Sequence, residues 1–208
     1  MAGPPVPGAV LLIAPDLDAG AGGVRPELVE LLGAERCAAL ERLLITRAAR
    51  WAEDVTPGRV PVASAPAAGA GGGAGLSERL AGSMARAWAD AEGGPLLVVW
   101  PDLPRWRAEH AGSALDDLAA GCGVSVGPVF DGGFYLLALR RPVPALFELA
   151  TEAWRSPDAM GRALDVVHRA GLEAGLMRTE RGLRRAADVR AALADPLLDP
   201  ELRSILQG

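Results

Sequence analysis

Short apolar runs bounded by glycine or proline are the feature that most constrains how this chain can fold. The strongest is Leu96–Trp100 (LLVVW), which stands between two prolines. A continuous run of this kind is typical of a strand buried on both faces of a parallel sheet. Ala9–Ala14 (AVLLIA) and Phe134–Arg140 (FYLLALR) have the same character. The chain is therefore expected to form a sheet that is covered on both sides.

Segments of helical period lie between these runs. Leucines three or four residues apart over Pro26–Trp51 predict one or two amphipathic helices, and Ser77–Glu92 predicts another with Ser77 as its N-cap. Further helices are predicted at 113–120, 157–170 and 186–194, and shorter strands at 59–64, 124–126 and 172–177. Pro61 restricts the strand at 59–64 to the edge of the sheet.

Strand and helix alternate nearly throughout, which predicts an α/β protein with a mostly parallel sheet. The length of 208 residues corresponds to a single domain spanning 1–208, with its core at about 9–194. Residues 65–75 (APAAGAGGGAG) are predicted to form a flexible Gly/Ala loop.

Composition excludes several classes of function. The formal net charge of −5 argues against nucleic acid as a partner. The 21 basic residues are all arginine, so no lysine is present for a Schiff base or a Walker motif. Two cysteines exclude a disulfide framework and favour a reducing compartment. The run at 9–14 is too short for a signal sequence or a membrane span, so we expect a cytoplasmic protein with no membrane partner.

Two segments could bind an anion. The first is Gly20–Arg25 (GAGGVR), which follows a predicted strand, precedes a helix and contains Gly22 and Arg25 as candidate phosphate contacts. It is close to the dinucleotide fingerprint G-x-G-x-x-G but has arginine in place of the third glycine, and a flexible loop would have the same composition. The second is an arginine cluster at 178–185 that includes Arg184, which either contacts phosphate or forms a solvated surface.

Two acidic residues are candidates for catalysis. Asp102 directly follows the strongest strand, and ligands bind at the carboxyl ends of parallel strands, although a turn residue between prolines would look the same. Asp131 opens the segment Asp131-Gly132-Gly133-Phe134-Tyr135, in which two glycines allow the backbone to approach a ligand closely. A simple hairpin turn is the alternative for that segment.

The segment 127–139 (GPVFDGGFYLLAL) resembles the hallmark of the DUF2064 proteins, also called selenodomain-associated transferase 1. These belong to the nucleotide-diphospho-sugar transferase (GT-A) superfamily. The following residues 140–147 (RRPVPALF), Leu76–Leu80 (LSERL), Pro101–Pro104 (PDLP) and the Trp-x-Ser-Pro of 154–157 are similar to further family segments, in the same order.

The resemblance implies a three-layer α/β/α sandwich and the transfer of a sugar or nucleotidyl group from a nucleoside diphosphate or nucleotide-sugar donor. Asp131 would orient an acceptor hydroxyl or act as a base, and Asp102 would shape the pocket at the strand end. The substrate-binding residues it suggests are Gly132, Gly133, Tyr135, Arg25, Gly22, Arg79 and Arg184.

The chain departs from the family where a metal is concerned. The family leads us to expect Mg²⁺ or Mn²⁺, which takes carboxylate ligands. Val99 stands where the family has an acidic residue, and 182–186 (GLRRA) stands where it has further acids. The carboxylate ligands are therefore predicted to be lost, so no cofactor is assigned and no residue is predicted to bind metal. Arg184 or Arg185 would then supply positive charge in place of the metal.

Three functions are compatible with these residues. The first is a transferase that uses a nucleoside-phosphate donor and could work without metal. The second is an inactive GT-A-fold protein that acts as a binding or scaffolding partner. The third is a Rossmann-type dinucleotide binder that uses the glycines of the segment 20–25.

Overall fold

The computed structural model describes residues 6–13, 25–57, 62–64, 76–147 and 156–207, without the side chains of 62–64 and 76–81. Its strands are β1 (Ala9–Leu12), β2 (Val62–Ser64), β3 (Leu96–Val99), β4 (Val124–Pro128), β5 (Phe134–Leu139) and β6 (Ala174–Leu176). The helices in these ranges are α1 (Pro26–Leu32), α2 (Ala34–Val55), α3 (Leu76–Asp90), α4 (Ala108–Ala120), α5 (Pro144–Phe147), α6 (Ala159–Arg169), α7 (Ala186–Ala194) and α8 (Pro200–Gln207).

The six strands form one sheet in the order β2-β1-β3-β5-β4-β6. β1 pairs in parallel with β2 and β3, and β4 pairs in parallel with β6. β5 is antiparallel to both of its neighbours, so the sheet is mixed. β2 lies at one edge, as the proline at position 61 predicted.

Helices cover both faces of the sheet, which makes a three-layer α/β/α sandwich. One face packs against α3, α5 and α6 through residues such as Leu137 and Val98. The other packs against α2 and α4 through residues such as Leu97 and Leu136. Every residue of β1, β3, β4 and β5 is buried, which explains why β1, β3 and β5 are apolar runs without alternation.

A third apolar cluster lies outside the sheet, between α1, α2, α7 and α8. Leu28, Leu40 and Leu44 contribute from the N-terminal half, and Leu183, Val189 and Leu202 from the C-terminal half. The cluster fixes the C-terminal segment against the N-terminal helices. This packing positions residues 180–185 beside the carboxyl end of β3.

Several predicted boundaries need correction. α3 begins at Leu76, so Ser77 lies in its first turn and is not the N-cap. α4 begins at Ala108, five residues before the predicted Ser113. α5 and α8 were not predicted. The predicted flexible loop at 65–75 lies outside the described residues.

Candidate functional site

The candidate catalytic residues Asp102 and Asp131 lie at the same end of the central strands, where β3 ends and β5 begins. Asp102 follows the carboxyl end of β3, and Asp131 lies in the turn that joins β4 to β5. Because β5 is antiparallel to β3, its first residues lie beside the last residues of β3, and the amide of Trp100 donates to the carbonyl of Tyr135 at 2.9 Å. The mixed sheet order thus places the two aspartates in one region.

The turn around Asp131 requires both of its glycines. Gly132 has a φ of +92°, and a Cβ added there would lie 2.0 Å from the carbonyl oxygen of Pro157. A Cβ on Gly133 would lie 2.6 Å from Nη1 of Arg184. The amide of Gly133 donates to Oδ1 of Asp131 at 3.2 Å, which holds the carboxylate in place. The sequence predicted that the backbone at these glycines would approach a ligand closely. In the structure it approaches Pro157 and Arg184.

The guanidinium group of Arg184 lies between the two aspartates. Its Nε is 3.3 Å from Oδ2 of Asp102, and its Nη1 is 3.2 Å from both carboxylate oxygens of Asp131. All three side chains are at most 15% exposed, so these ion pairs are shielded from water. Nη2 of Arg184 has no hydrogen-bond acceptor among the described residues.

Arg25 extends this arrangement into the interior. Its Nη2 donates to Oδ1 of Asp102, its Nη1 donates to the carbonyl of Leu183 at 2.6 Å, and its Nε lies 3.7 Å from Oε1 of Glu41. Arg25 is 6% exposed. Its guanidinium group therefore holds Asp102 and the C-terminal segment in position, and all its nitrogens have partners. We call Glu41, Arg25, Asp102, Arg184 and Asp131 the charge ladder.

Glu41 is the member of the charge ladder that sequence reasoning did not identify. It lies on α2 next to Leu40, inside a helix whose pattern predicted only that leucines face the core. A charged residue is rarely buried unless it is paired. Its pairing with Arg25, sixteen positions earlier, depends on how α2 packs. No pattern in the sequence around Glu41 indicates that its carboxylate is buried and paired.

The segment that carries Arg184 is fixed by Asp188. Oδ2 of Asp188 accepts hydrogen bonds from the amides of Arg184 and Arg185 at 3.2 and 3.0 Å. Its Oδ1 accepts from Nη1 of Arg181 at 3.1 Å. The segment 182–186 contains no acid, but Asp188 just beyond it orders the backbone at the start of α7. Arg185 is exposed and takes no part in the charge ladder.

One predicted site residue that the structure describes, Tyr135, is not brought into this cluster. Tyr135 is buried on the face covered by α2 and α4, where its hydroxyl lies 3.5 Å from the carbonyl of Arg178, and burial raises its pKa. Gly22 lies outside the described residues, and of Arg79 only the backbone, within α3, is described.

A second group of polar and aromatic side chains surrounds Tyr135. The rings of Trp106 and His110 lie 5.9 and 5.3 Å from the ring of Tyr135. Nε2 of His110 is 3.6 Å from Oε1 of Glu180. Burial lowers the pKa of His110, and the carboxylate of Glu180 opposes that shift. This group stabilises the packing between α4 and the sheet.

The family model of DUF2064, described as "Uncharacterized protein conserved in bacteria", matches residues 34–151, which is more than half of the chain. The chain belongs to the DUF2064 family. No curated protein matches it. Among solved structures it is similar to the crystal structure of a "putative nucleotide-diphospho-sugar transferase" from Desulfovibrio desulfuricans G20, with 19% identity and a TM-score of 0.69. That match covers 96% of this chain and 93% of the other.

The fold of this DUF2064 chain is thus the GT-A-like sandwich that the sequence predicted. The similarity of the two folds includes nearly the whole of both chains. Within the described ranges, no helix combines the length and the apolar character needed to cross a membrane.

The described residues of this DUF2064 chain do not fit a divalent cation at the carboxyl end of β3, between Asp102 and Asp131. Asp102 and Asp131 supply two carboxylates there, and the guanidinium group of Arg184 lies between them. Val99, at the end of β3, is apolar and fully buried. In the part of the chain that is described, no three His, Cys, Asp or Glu side chains are arranged to hold a metal ion. An ion at this position would have to displace Arg184.

Proposed function

We propose that this protein is a transferase that uses a nucleoside-phosphate donor, either a glycosyltransferase or a nucleotidyltransferase, and that Arg184 takes the place of the divalent cation. The observation that carries the proposal is the guanidinium group held between Asp102 and Asp131, whose Nη2 has no acceptor among the residues that the structure describes. The membership of the DUF2064 family and the fold shared with a protein described as a sugar-nucleotide transferase support it.

Arg184 supplies the charge that the reaction needs. A departing nucleoside phosphate gains negative charge in the transition state, and a fixed guanidinium group stabilises such charge without reorganising. Two carboxylates and the backbone contacts of Asp188 hold Arg184 in position before the substrate arrives. Its Nη2 donates to a phosphate oxygen, which is the kind of charge-assisted bond that arginine forms with phosphate.

Asp131 acts on the acceptor. Its carboxylate accepts from the amide of Gly133 and from Arg184 and is still 14% exposed, so one face remains open to an acceptor hydroxyl. In this position the carboxylate would orient the hydroxyl for attack or take its proton. Asp102 does not contact substrate in this scheme; it positions Arg184 and Arg25.

The first test is a calorimetric titration of nucleoside diphosphates and nucleotide sugars with and without Mg²⁺. We expect binding that does not depend on Mg²⁺, and a loss of roughly tenfold or more in affinity for Arg184→Gln, because a charge-assisted bond to phosphate is removed. Arg185→Gln is the matched control, since this neighbour is exposed and outside the charge ladder. Equal losses in the two variants, or binding that requires Mg²⁺, would contradict the role of Arg184.

The second test measures turnover. Asp131→Asn keeps the shape of the side chain and removes its charge, so we expect substrate affinity to change little and turnover to fall by roughly a hundredfold or more. Unaltered turnover would remove Asp131 from the mechanism.

A binding or scaffolding role without catalysis is the second candidate. The observation in its favour is that two guanidinium groups face three carboxylates in the charge ladder, so the cluster already compensates its own positive charge. This candidate predicts no binding of any nucleoside phosphate in the titration above. Dinucleotide binding by the segment 20–25 finds less support, because the antiparallel β5 interrupts the strand order that a Rossmann site requires.

A further inference from the structure

We propose that the protein has a second ligand site, which takes a small ring compound carrying a phosphate group. The site is a groove between the C-terminal half of α2, the loop 103–108 and the segment 195–202, with a volume of about 910 Å³. This volume lies within the range of small-molecule sites. We call it the arginine groove, after the five arginines on its walls.

Three of these arginines have no carboxylate partner. Arg50, Arg105 and Arg107 are exposed and form no ion pair with any residue in the described ranges, and Nη2 of Arg105 donates to the carbonyl of Leu197 at 2.9 Å. The remaining two are paired with carboxylates. Nη2 of Arg47 lies 2.5 Å from Oδ1 of Asp199, and Nη1 of Arg181 lies 3.1 Å from Oδ1 of Asp188. An acidic chain therefore presents three uncompensated guanidinium groups in one concave place, which favours an anion.

Aromatic rings form part of the same groove. Trp51 and Trp106 both line it, with ring centroids 4.5 Å apart. Nε1 of Trp51 donates to the carbonyl of Arg107 at 2.8 Å, so the rings and one wall of the groove are held together. Trp51 is buried, so the half-buried indole ring of Trp106 is the one that provides an apolar surface for a flat ring and a favourable contact for cations nearby. The combination of rings and guanidinium groups selects a ring with a phosphate group over either part alone.

The acidic side chains of the groove leave the three arginines uncompensated. Oδ1 of Asp195 accepts from the amide of Leu197 at 2.9 Å, and Glu180 is directed to His110. Asp54 lies one turn after Arg50 on α2, and the two side chains form no ion pair. A phosphate group is therefore expected near the loop 105–107, away from the carboxylate of Asp54.

The arginine groove is separate from the charge ladder. Leu103 and Leu183 line the groove, whereas their neighbours Asp102 and Arg184 belong to the ladder. The amide of Leu183 donates to the carbonyl of Asp102 at 2.8 Å, so the two backbone segments are joined and lie between the sites. A ligand in the groove is consequently not the donor of the proposed transfer, and the second site stands whether or not the protein is a transferase.

Titration of the full chain with phenyl phosphate, phenol and inorganic phosphate tests the proposal, with calorimetry and tryptophan fluorescence as readouts. Phenyl phosphate is expected to bind more tightly than phenol or inorganic phosphate. The double variant Arg105→Gln/Arg107→Gln should lower its affinity by roughly tenfold or more, since two charge-assisted contacts are lost. Arg162→Gln/Arg169→Gln is the matched control, because both arginines are exposed on α6 and neither contributes to the groove.

Arg184→Gln distinguishes this site from the charge ladder, since it should leave the affinity for phenyl phosphate unchanged. No binding of phenyl phosphate, equal losses in the two double variants, or affinity for phenol or inorganic phosphate equal to that for phenyl phosphate would overturn the proposal. So would loss of binding in Arg184→Gln. Circular dichroism of each variant verifies that the comparison is between folded proteins.

Discussion

Gly132 has the most restricted environment of any single residue described at the site. Its φ of +92° belongs to a region that residues with a Cβ rarely adopt, and the carbonyl of Pro157 occupies the place where a Cβ would lie. Its own carbonyl accepts from the amide of Met160 at 3.0 Å, at the start of α6. Gly132 thus helps to hold the start of α6 in place as well as to position Asp131.

Gly132→Ala is expected to lower the free energy of unfolding by about 2–4 kcal/mol, because strain at positive φ adds to a steric clash with backbone. Chemical denaturation measures the change. Gly112→Ala is the control: Gly112 lies in α4, and a Cβ added there would have no neighbouring atom within 4 Å, so alanine should be neutral or stabilise by up to about 1 kcal/mol. Similar effects of the two substitutions would contradict the role given to Gly132.

His110 makes stability depend on pH. Burial is the main reason that its pKa lies below the ordinary value of 6.5, with Glu180 acting in the opposite direction and Arg107 and Glu109 contributing less. Between the folded and the unfolded pKa the unfolded chain binds more protons, so stability falls as the pH falls through that window. Protonation also removes the acceptor that Nδ1 offers to the amide of Arg107.

We therefore expect the free energy of unfolding to fall more steeply between about pH 7 and pH 5 in the wild type than in His110→Gln. Urea denaturation at several pH values measures both slopes. Parallel slopes would show that carboxylates alone cause the acid sensitivity.

At the scale of elements, local sequence signals predicted the strands better than the helix ends. β1, β3 and β5 are apolar along their whole length, and this property is visible without knowledge of their neighbours. The start of α4 was missed because the residue that accepts the hydrogen bond from Arg107 is His110, which is an uncommon capping residue. The start of α8 did have a signal: Asp199 precedes Pro200, and its Oδ1 accepts from the amide of Leu202 at 3.1 Å.

Asp188, in the first turn of α7, orders the backbone that carries Arg184. Asp188→Ala removes the acceptor for the amides of Arg184 and Arg185 and is expected to lower the free energy of unfolding by about 1–2 kcal/mol. Asp188→Asn retains an oxygen acceptor and should lower it by less. Chemical denaturation distinguishes the two variants, and losses of equal size would show that the amide contacts do not matter.

At the scale of the whole molecule, three apolar clusters are joined through shared elements. α2 contributes Ala48 and Trp51 to the cluster on the sheet and Leu40 and Leu44 to the cluster with α7 and α8. One helix thus connects the sheet to the C-terminal segment that carries Arg184. The single domain predicted from the length remains a prediction that unfolding can test.

We expect one cooperative transition, with coincident curves from tryptophan fluorescence and circular dichroism. Leu202→Ala in α8 should lower the free energy of unfolding by about 2–5 kcal/mol and shift both curves together, since Leu202 is fully buried. Separate transitions for the two probes would show that the C-terminal helices unfold independently of the sheet.

The sequence by itself determined the α/β class, most of the strands and the glycine-containing turn after Asp131. These are local properties, because an apolar run or a glycine pair limits its own backbone whatever surrounds it. Only the tertiary structure decided which charges meet. Arg25 is 77 positions from Asp102, and Arg184 is 53 positions from Asp131. Such contacts follow from the order of strands and the packing of α2 against α7 and α8, so neither the buried Glu41 nor the place of Arg184 between two carboxylates has a local signature.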